Sequence, residues 1–320
     1  MAEQPLKIII KGLGWSGSGA VVSLLQEFNG IQQVPGGPAV VEPTGLVRLG
    51  EFNFFRVPGG VGDQLESAPA GPAAGPSGIV AYAKKKSRSA RSKTIRNIIS
   101  GRSPRRTLTA LSVYNQIRKI NRLSIALDDD LRVLTSRVER LERARRWMND
   151  VTGVVSNSDT RGVIFDQAIR FGAHTSTWSH VFENWRLIIV FRDPRDQIAE
   201  QYLHGKIAPI NDKGYTVALK QRIDSTMATM RAIDTLLEDA ELRTKILLVR
   251  FESLIENYAE TVHKITEFLG LSTEEHVRRG YYLDTNWSQR NIGIYRDTAV
   301  PGLALPMIAD LMEWYAQHLD

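Results

Sequence analysis

The 320-residue chain contains no cysteine, which excludes disulfides, thiolate metal sites and a cysteine nucleophile. Its six histidines are scattered without metal-ligand spacing, so no metal is expected. Long apolar runs are missing too: the longest, such as residues 187–191, fall far short of the roughly 20 residues that cross a bilayer. The short run at residues 8–10 enters a glycine loop directly and cannot serve as a secretory core, so a cytoplasmic protein is expected, peripheral at the inner membrane at most. Acidic residues are scarce in one stretch only. Residues 84–146 hold 19 basic and 5 acidic side chains against 22 and 30 elsewhere, so the net charge of +6 resides in a single segment.

Apolar content of 42% and a length of 320 residues suffice for one large α/β domain with an insertion. The most informative stretch is residues 7–25, KIIIKGLGWSGSGAVVSLL, a strand-like run that breaks into glycines and serines and then turns helical. Gly14, Gly17 and Gly19 let the backbone approach an anion, Ser16 and Ser18 add hydroxyl donors, and a helix starting near Gly19 aims its positive end at the same place. The Walker lysine is absent, because Ala20 follows Gly19, so a magnesium-nucleotide triphosphatase is poorly supported. On these residues alone, a simple strand-to-helix turn is the competing reading.

A second signal lies at residues 187–205, LIIVFRDPRDQIAEQYLHG. In an open parallel sheet the carboxyl ends of strands line the ligand crevice, so Arg192 is placed to meet an anion with its forked guanidinium. Asp193 and Pro194 force a turn and start a helix that carries Arg195 and Asp196. Taken alone, this turn reads equally well as a salt-bridged surface corner.

With Ser16-Gly17-Ser18 first and Arg192 to Asp196 later, the chain resembles the P-loop sulfotransferases that use 3′-phosphoadenosine 5′-phosphosulfate. Residues 245–271 are similar to the family's late strand, Arg-Phe-Glu turn and long helix, and residues 287–297, WSQRNIGIYRD, to its closing loop. The likeness covers residues 5–56 and 150–320. It implies an α/β fold, a P-loop-type open parallel sheet flanked by helices, with a basic, largely helical insertion. It implies also a loop of Gly14, Trp15, Ser16, Gly17, Ser18, Gly19 and Ala20 around the 5′-phosphosulfate, and Arg192, Arg290, Asn291 and Gly293 around the nucleotide. Two positions depart from the pattern. Trp15 stands where the family usually has Lys or Arg, so that either Lys11 or another cation supplies the positive charge or activity is weakened, and Glu200 stands where it tends to have Ser near the 3′-phosphate, which a carboxylate would repel unless it points away.

An acceptor hydroxyl needs a general base. Glu51, followed by Phe54 and Phe55, resembles a base of some glycan sulfotransferases; Asp166 and His174 are the alternatives, and each can equally be structural. Arg250 and Glu252 can pair with each other or meet ligand, and Trp15 and Trp287 can sandwich a base or fill core. The expected acceptor is a hydroxyl of a glycan or glycolipid precursor. A P-loop kinase and a non-catalytic polyanion-binding protein with a degenerate core are the other two classes.

The organisation read from composition is residues 1–62 as the first part of the α/β domain, 63–149 as a linker and helical insertion, and 150–320 as the remainder. Residues 67–78 are rich in Ala, Pro and Gly and read as a linker. Residues 84–106 carry few apolar side chains and are expected to be partly irregular. From residue 107 onward, Val113, Ile117, Ile120, Leu127, Leu131, Leu134, Val138 and Leu141 form a heptad-like stripe. Packing on the chain's own core, self-association into a homo-oligomer, and attachment to an anionic membrane surface or acidic glycan are its three uses; nucleic acid is not the expected partner.

Overall fold

The computed structural model describes residues 4–36, 40–41, 47–66, 78–99, 104–172, 175–207, 214–300 and 305–319. A five-stranded parallel sheet has the order β2-β5-β1-β6-β7, with β1 Leu6–Gly12, β2 Ile31–Gln33, β5 Gly162–Asp166, β6 Trp185–Phe191 and β7 Ile246–Arg250. A two-stranded antiparallel ribbon pairs β3 Val40–Val41 with β4 Val47–Arg48. The non-consecutive strand order requires helical crossovers, which explains why β1 and β6 are near-continuous apolar runs covered on both faces. Ile8, Ile9, Ile10, Ile188, Ile189 and Val190 are all fully buried.

The chain divides into two compact units, one of residues 1–9 and 30–185, the other of residues 10–29 and 186–320. In the first, β2 and β5 pair in parallel with Ile31 opposite Gly162. Its core is aromatic: Phe52 and Phe165 meet edge to face at 5.3 Å, as do Phe165 and Phe182. Helix α3 (Gly78–Ile99) lies against α4 (Pro104–Val133), and α4 against α5 (Arg137–Val155). Asn121 Nδ2 donates to Ala83 O at 3.0 Å, and Trp147 Nε1 to Ser124 Oγ at 3.3 Å, tying the three together.

One expectation for this region changes, and a second is resolved into two helices. The basic stretch 84–99 is helical within α3, because Lys, Arg and Ala lose little side-chain freedom in a helix and outweigh the shortage of apolar residues. The heptad-like stripe is not one seam: α4 ends at Val133 and α5 begins at Arg137, so Val113, Ile117, Ile120, Leu127 and Leu131 are buried within the chain while Val138 is exposed. Lys84, Lys85, Arg88 and Arg91 face solvent.

In the second unit β6 and β7 run parallel from Leu187 opposite Ile246 to Phe191 opposite Arg250. Helices α1 (Ser18–Leu25), α7 (Pro194–Leu203), α8 (Tyr215–Glu238), α10 (Phe251–Glu256) and α11 (Tyr258–Leu269) surround them. The helix expected after residue 250 is broken into α10 and α11 at Asn257, and α11 ends on Gly270 in the left-handed region, the usual C-terminal stop. Glu27, fully buried, accepts from His276 Nε2 at 2.7 Å and from the Tyr282 and Leu283 amides at 2.9 Å, which anchors the end of α1 to the segment before α12 (Thr285–Gln289).

Candidate functional site

The second unit gathers the loop after β1, the end of β6 and the segment after α12. Gly14 and Gly17 have φ of 80° and 79°, and Trp15 between them has φ of 57°. A methyl on Gly17 would overlap the Phe251 ring, so this position is fixed both by backbone conformation and by space. Helix α1 begins immediately after Gly17 without a side-chain cap, so its first-turn N–H groups and dipole are available to an anion. A methyl on Gly12 would overlap Ser16 Oγ and lie 2.9 Å from Ser18 Oγ, which brings both hydroxyls to one spot. Ser16 is 1% exposed and its Oγ has no hydrogen-bond partner among the described residues. A buried hydroxyl without a partner costs about 1–3 kcal/mol, which a bound oxyanion relieves. These features fit a phosphosulfate.

Arg192 closes β6 and is 2% exposed. Its Nη1 donates to Trp15 O at 3.1 Å and pairs with Glu200, its Nη2 donates to Asn291 O, and its Cζ lies 5.4 Å from the centre of the Phe251 ring. One side chain therefore joins the glycine loop, α7 and the segment after α12. Glu200 points at Arg192, eight residues back and two helical turns along α7, and so neutralises the cation expected to meet a phosphate. The turn that presents Arg192 forms as its sequence dictates: Pro194 starts α7, and Asp193 caps it by accepting from Arg195 N at 2.8 Å.

Asp196, 1% exposed, accepts from the amides of Gly293 at 2.7 Å and Tyr295 at 3.0 Å. Burial pushes its carboxyl up from the ordinary value, opposed by those two amides and by Arg192. Gly293, at φ 78°, makes the turn that offers both amides, and Arg195 stacks on Tyr295 at 4.1 Å. Asn291 and Gly293 thus reach the Arg192 end of the site. Arg290 is exposed and lies over the Trp287 ring at 4.9 Å; Trp287 is 63% exposed and is not core.

Trp15 stacks on His204 at 4.8 Å, so residue 15 supplies ring contact. Lys11 is half-buried on β1 and engaged within the protein. Gly19 has open space where a side chain would stand, and Ala20 N donates to Gly17 O at 2.8 Å in the first turn of α1. Arg250 Nε and Glu252 Oε2 are 3.5 Å apart, and Glu252 also accepts from Asp193 N and the Tyr315 hydroxyl, both at 2.8 Å. Of the two readings for that pair, bracing of the strand end is the observed geometry.

The base candidates belong to the first unit. Glu51, with its side chain 48% exposed, accepts from Asn53 Nδ2 at 3.1 Å and lies 3.8 Å from Arg56 Nη2. Asp166 O accepts the Phe52 amide at 2.9 Å, so Glu51 and Asp166 stand on neighbouring segments. Arg56 reaches Gln167 O at 3.4 Å, completing a polar cluster with Gln167 at φ 55°. His174 lies outside the described residues. Among the described residues, no three His, Asp or Glu side chains are placed to hold a metal ion, and no helix is long and apolar enough to cross a membrane.

Sequence reasoning missed three features. The Arg192–Glu200 pair and the Asp196 grip on residues 293 and 295 link positions whose meaning appears only in space. The third is Arg222 on α8, whose Nη2 lies against Gly14; residues 215–238 carry no motif that marks it.

Solved structures similar to this chain include the sulfotransferase domain of the Synechococcus olefin synthase, with 14% identity, TM-score 0.43, and coverage of 93% of this chain and 89% of that one. A sulfotransferase domain of the curacin biosynthetic pathway has 11% identity, TM-score 0.40, and coverage of 89% and 80%. A sulfotransferase of Mycobacterium avium has 12% identity, TM-score 0.42, and coverage of 98% and 77%. No curated protein matches the chain. The family model described as "Sulfotransferase family" matches residues 8–275, which include the glycine loop, Arg192 and the Arg250–Glu252 turn: the chain belongs to the sulfotransferase family and is a sulfuryl-transferring enzyme.

Proposed function

We propose that the donor is 3′-phosphoadenosine 5′-phosphosulfate and the acceptor a hydroxyl of a glycan or glycolipid precursor. The observation that carries the donor reading is the loop itself: left-handed glycines, the partnerless buried Ser16 hydroxyl and the uncapped start of α1 follow one another within Gly14 to Ser18, the arrangement that receives an oxyanion. In the reaction the bond from sulfur to the bridging phosphate oxygen breaks, leaving its electron pair on that oxygen, while a bond from the acceptor oxygen to sulfur forms. Loop amides and the hydroxyls of Ser16 and Ser18 stabilise the growing charge. The acceptor's proton passes to a carboxylate, with Glu51 first and Asp166 next. No step calls for a metal ion.

Arg192, with Asn291 and Gly293, is the region proposed for the 3′-phosphate, which has to compete with Glu200 for the same guanidinium. The exposed lysines and arginines of α3 support an acidic or membrane-borne acceptor handled in the cytoplasm. Calorimetry with adenosine 3′,5′-bisphosphate and with ADP, each with and without magnesium, tests the donor. Tighter binding of the bisphosphate without magnesium is expected; tighter, magnesium-dependent ADP binding would replace this reading with a kinase.

A further inference from the structure

Arg222 is the feature that the reading above leaves without a role. It projects from α8 toward the loop so closely that a methyl on Gly14 would overlap its Nη2 and stand 3.7 Å from its Cζ. The side chain is half-buried, and its Nε is buried without a hydrogen-bond partner. Among the described residues no carboxylate pairs with it. Burial alone pushes its guanidinium down from the ordinary value, with no charge holding it up. The nearby acids are engaged elsewhere: Glu200 on Arg192, Asp193 on Arg195, Asp196 on two backbone amides, and Asp224 on Lys220.

A cation partly removed from water without a counter-ion is unfavourable. Here it lies against Gly14, two residues before the partnerless hydroxyl of Ser16 and four before the uncapped start of α1 at Ser18. Three unsatisfied donors thus touch or belong to one short loop, Gly14 to Ser18, as an anion site requires. Residue 15 cannot neutralise or replace Arg222, because its ring is stacked on His204 and its carbonyl oxygen accepts from Arg192.

We propose that Arg222 is the cation of the loop's anion site, reaching from α8 to do the work that Trp15 cannot. Within the sulfuryl transfer proposed above, on which this catalytic role rests, its N–H groups meet the bridging phosphate oxygen as that oxygen takes the electron pair of the breaking S–O bond. Gly14 is then glycine to leave room for the guanidinium as well as to turn the chain.

The test uses the full chain and two probes. Inorganic pyrophosphate, two linked tetrahedral anions like a phosphosulfate, is titrated calorimetrically into wild type, Arg222→Lys and Arg222→Met. Arg222→Met should weaken pyrophosphate about tenfold or more and Arg222→Lys less. Because the native cation lacks a counter-ion, Arg222→Met should melt no lower than wild type, the opposite of a structural residue. With labelled donor, turnover of Arg222→Ala should fall about a hundredfold while donor KM rises no more than the roughly tenfold loss seen with pyrophosphate, and added guanidinium should restore part of the turnover. Pyrophosphate affinity within twofold of wild type in Arg222→Met, or a wild type that does not bind pyrophosphate, would overturn the proposal. If the Arg222 variants lose pyrophosphate while wild type moves no sulfuryl label, the anion site stands and the donor assignment alone falls.

Discussion

Replacing Glu200 with Ser should make this protein bind adenosine 3′,5′-bisphosphate more tightly while making it less stable when empty. Arg192 is 2% exposed and its charge is balanced by Glu200, whose side chain is 21% exposed. Removing one partner of a buried pair leaves the other uncompensated, a cost of about 3–5 kcal/mol; the partial exposure of Glu200 reduces this to roughly 2–3 kcal/mol. The empty variant should therefore melt several degrees lower. A 3′-phosphate can then supply the missing charge without displacing a carboxylate, so affinity should rise about tenfold or more, equivalent to ~1.4 kcal/mol. Adenosine 5′-phosphate, which lacks the 3′ group, should bind both proteins alike. Calorimetry with the two nucleotides and melting curves with and without bisphosphate read all of this. Bisphosphate affinity unchanged or lower in Glu200→Ser would refute the reasoning, and Arg192 would be a structural tie between the loop, α7 and Asn291.

Glu51→Gln should lower turnover about a hundredfold and leave bisphosphate affinity nearly unchanged, because a base acts on the acceptor; near-normal turnover would move the role to Asp166. Asp196→Asn keeps one acceptor for the Gly293 and Tyr295 amides and loses the other, so nucleotide affinity should fall and stability drop by about 1–2 kcal/mol, read by calorimetry and melting. Burial lowers Lys7 to about 8 in the folded chain, against 10.5 when exposed, with Glu183 opposing the shift. Between those values the unfolded chain holds more protons, so stability should rise with pH across the window, and the cost below it is ~3 kcal/mol. Lys7→Met forfeits the 3.0 Å bond to Glu183 O, so it should be stabilising by about 2 kcal/mol at pH 7, and its advantage over wild type should vanish as pH approaches 10.5. Neutralising Lys84, Lys85, Arg88 and Arg91 together should spare nucleotide binding and reduce attachment to anionic vesicles at low salt only; attachment equal to wild type at low salt would refute a recruiting role for α3.

What could be read in the sequence was local. Glycines at 14 and 17, serines at 16 and 18 and an apolar run on either side specify strand, loop and helix within 20 residues, and Asp193-Pro194 writes its own cap and helix start. These rest on backbone conformation and near-neighbour hydrogen bonds, which residue identity controls directly. The contacts that decide whether the site is open were not legible. Glu200 gave a sign of charge but no direction, and a carboxylate expected to repel phosphate turns out to hold Arg192. Asp196 meets residues 293 and 295 almost a hundred positions later. Arg222 sits in a helix whose sequence looks like any solvated surface helix, and only the fold brings it to Gly14. The basic α3 was misjudged for a different reason: with few apolar residues it shows no periodicity, although its side chains favour a helix.

Sulfuryl transfer to a glycan is tested by following label from sulfur-35 3′-phosphoadenosine 5′-phosphosulfate to a panel of neutral, acidic and lipid-linked oligosaccharides in the presence of a chelator. Label is expected on at least one glycan acceptor, with stoichiometric release of adenosine 3′,5′-bisphosphate and no dependence on added magnesium. Donor that binds but yields neither labelled acceptor nor bisphosphate, or transfer that disappears with the chelator, would contradict this function.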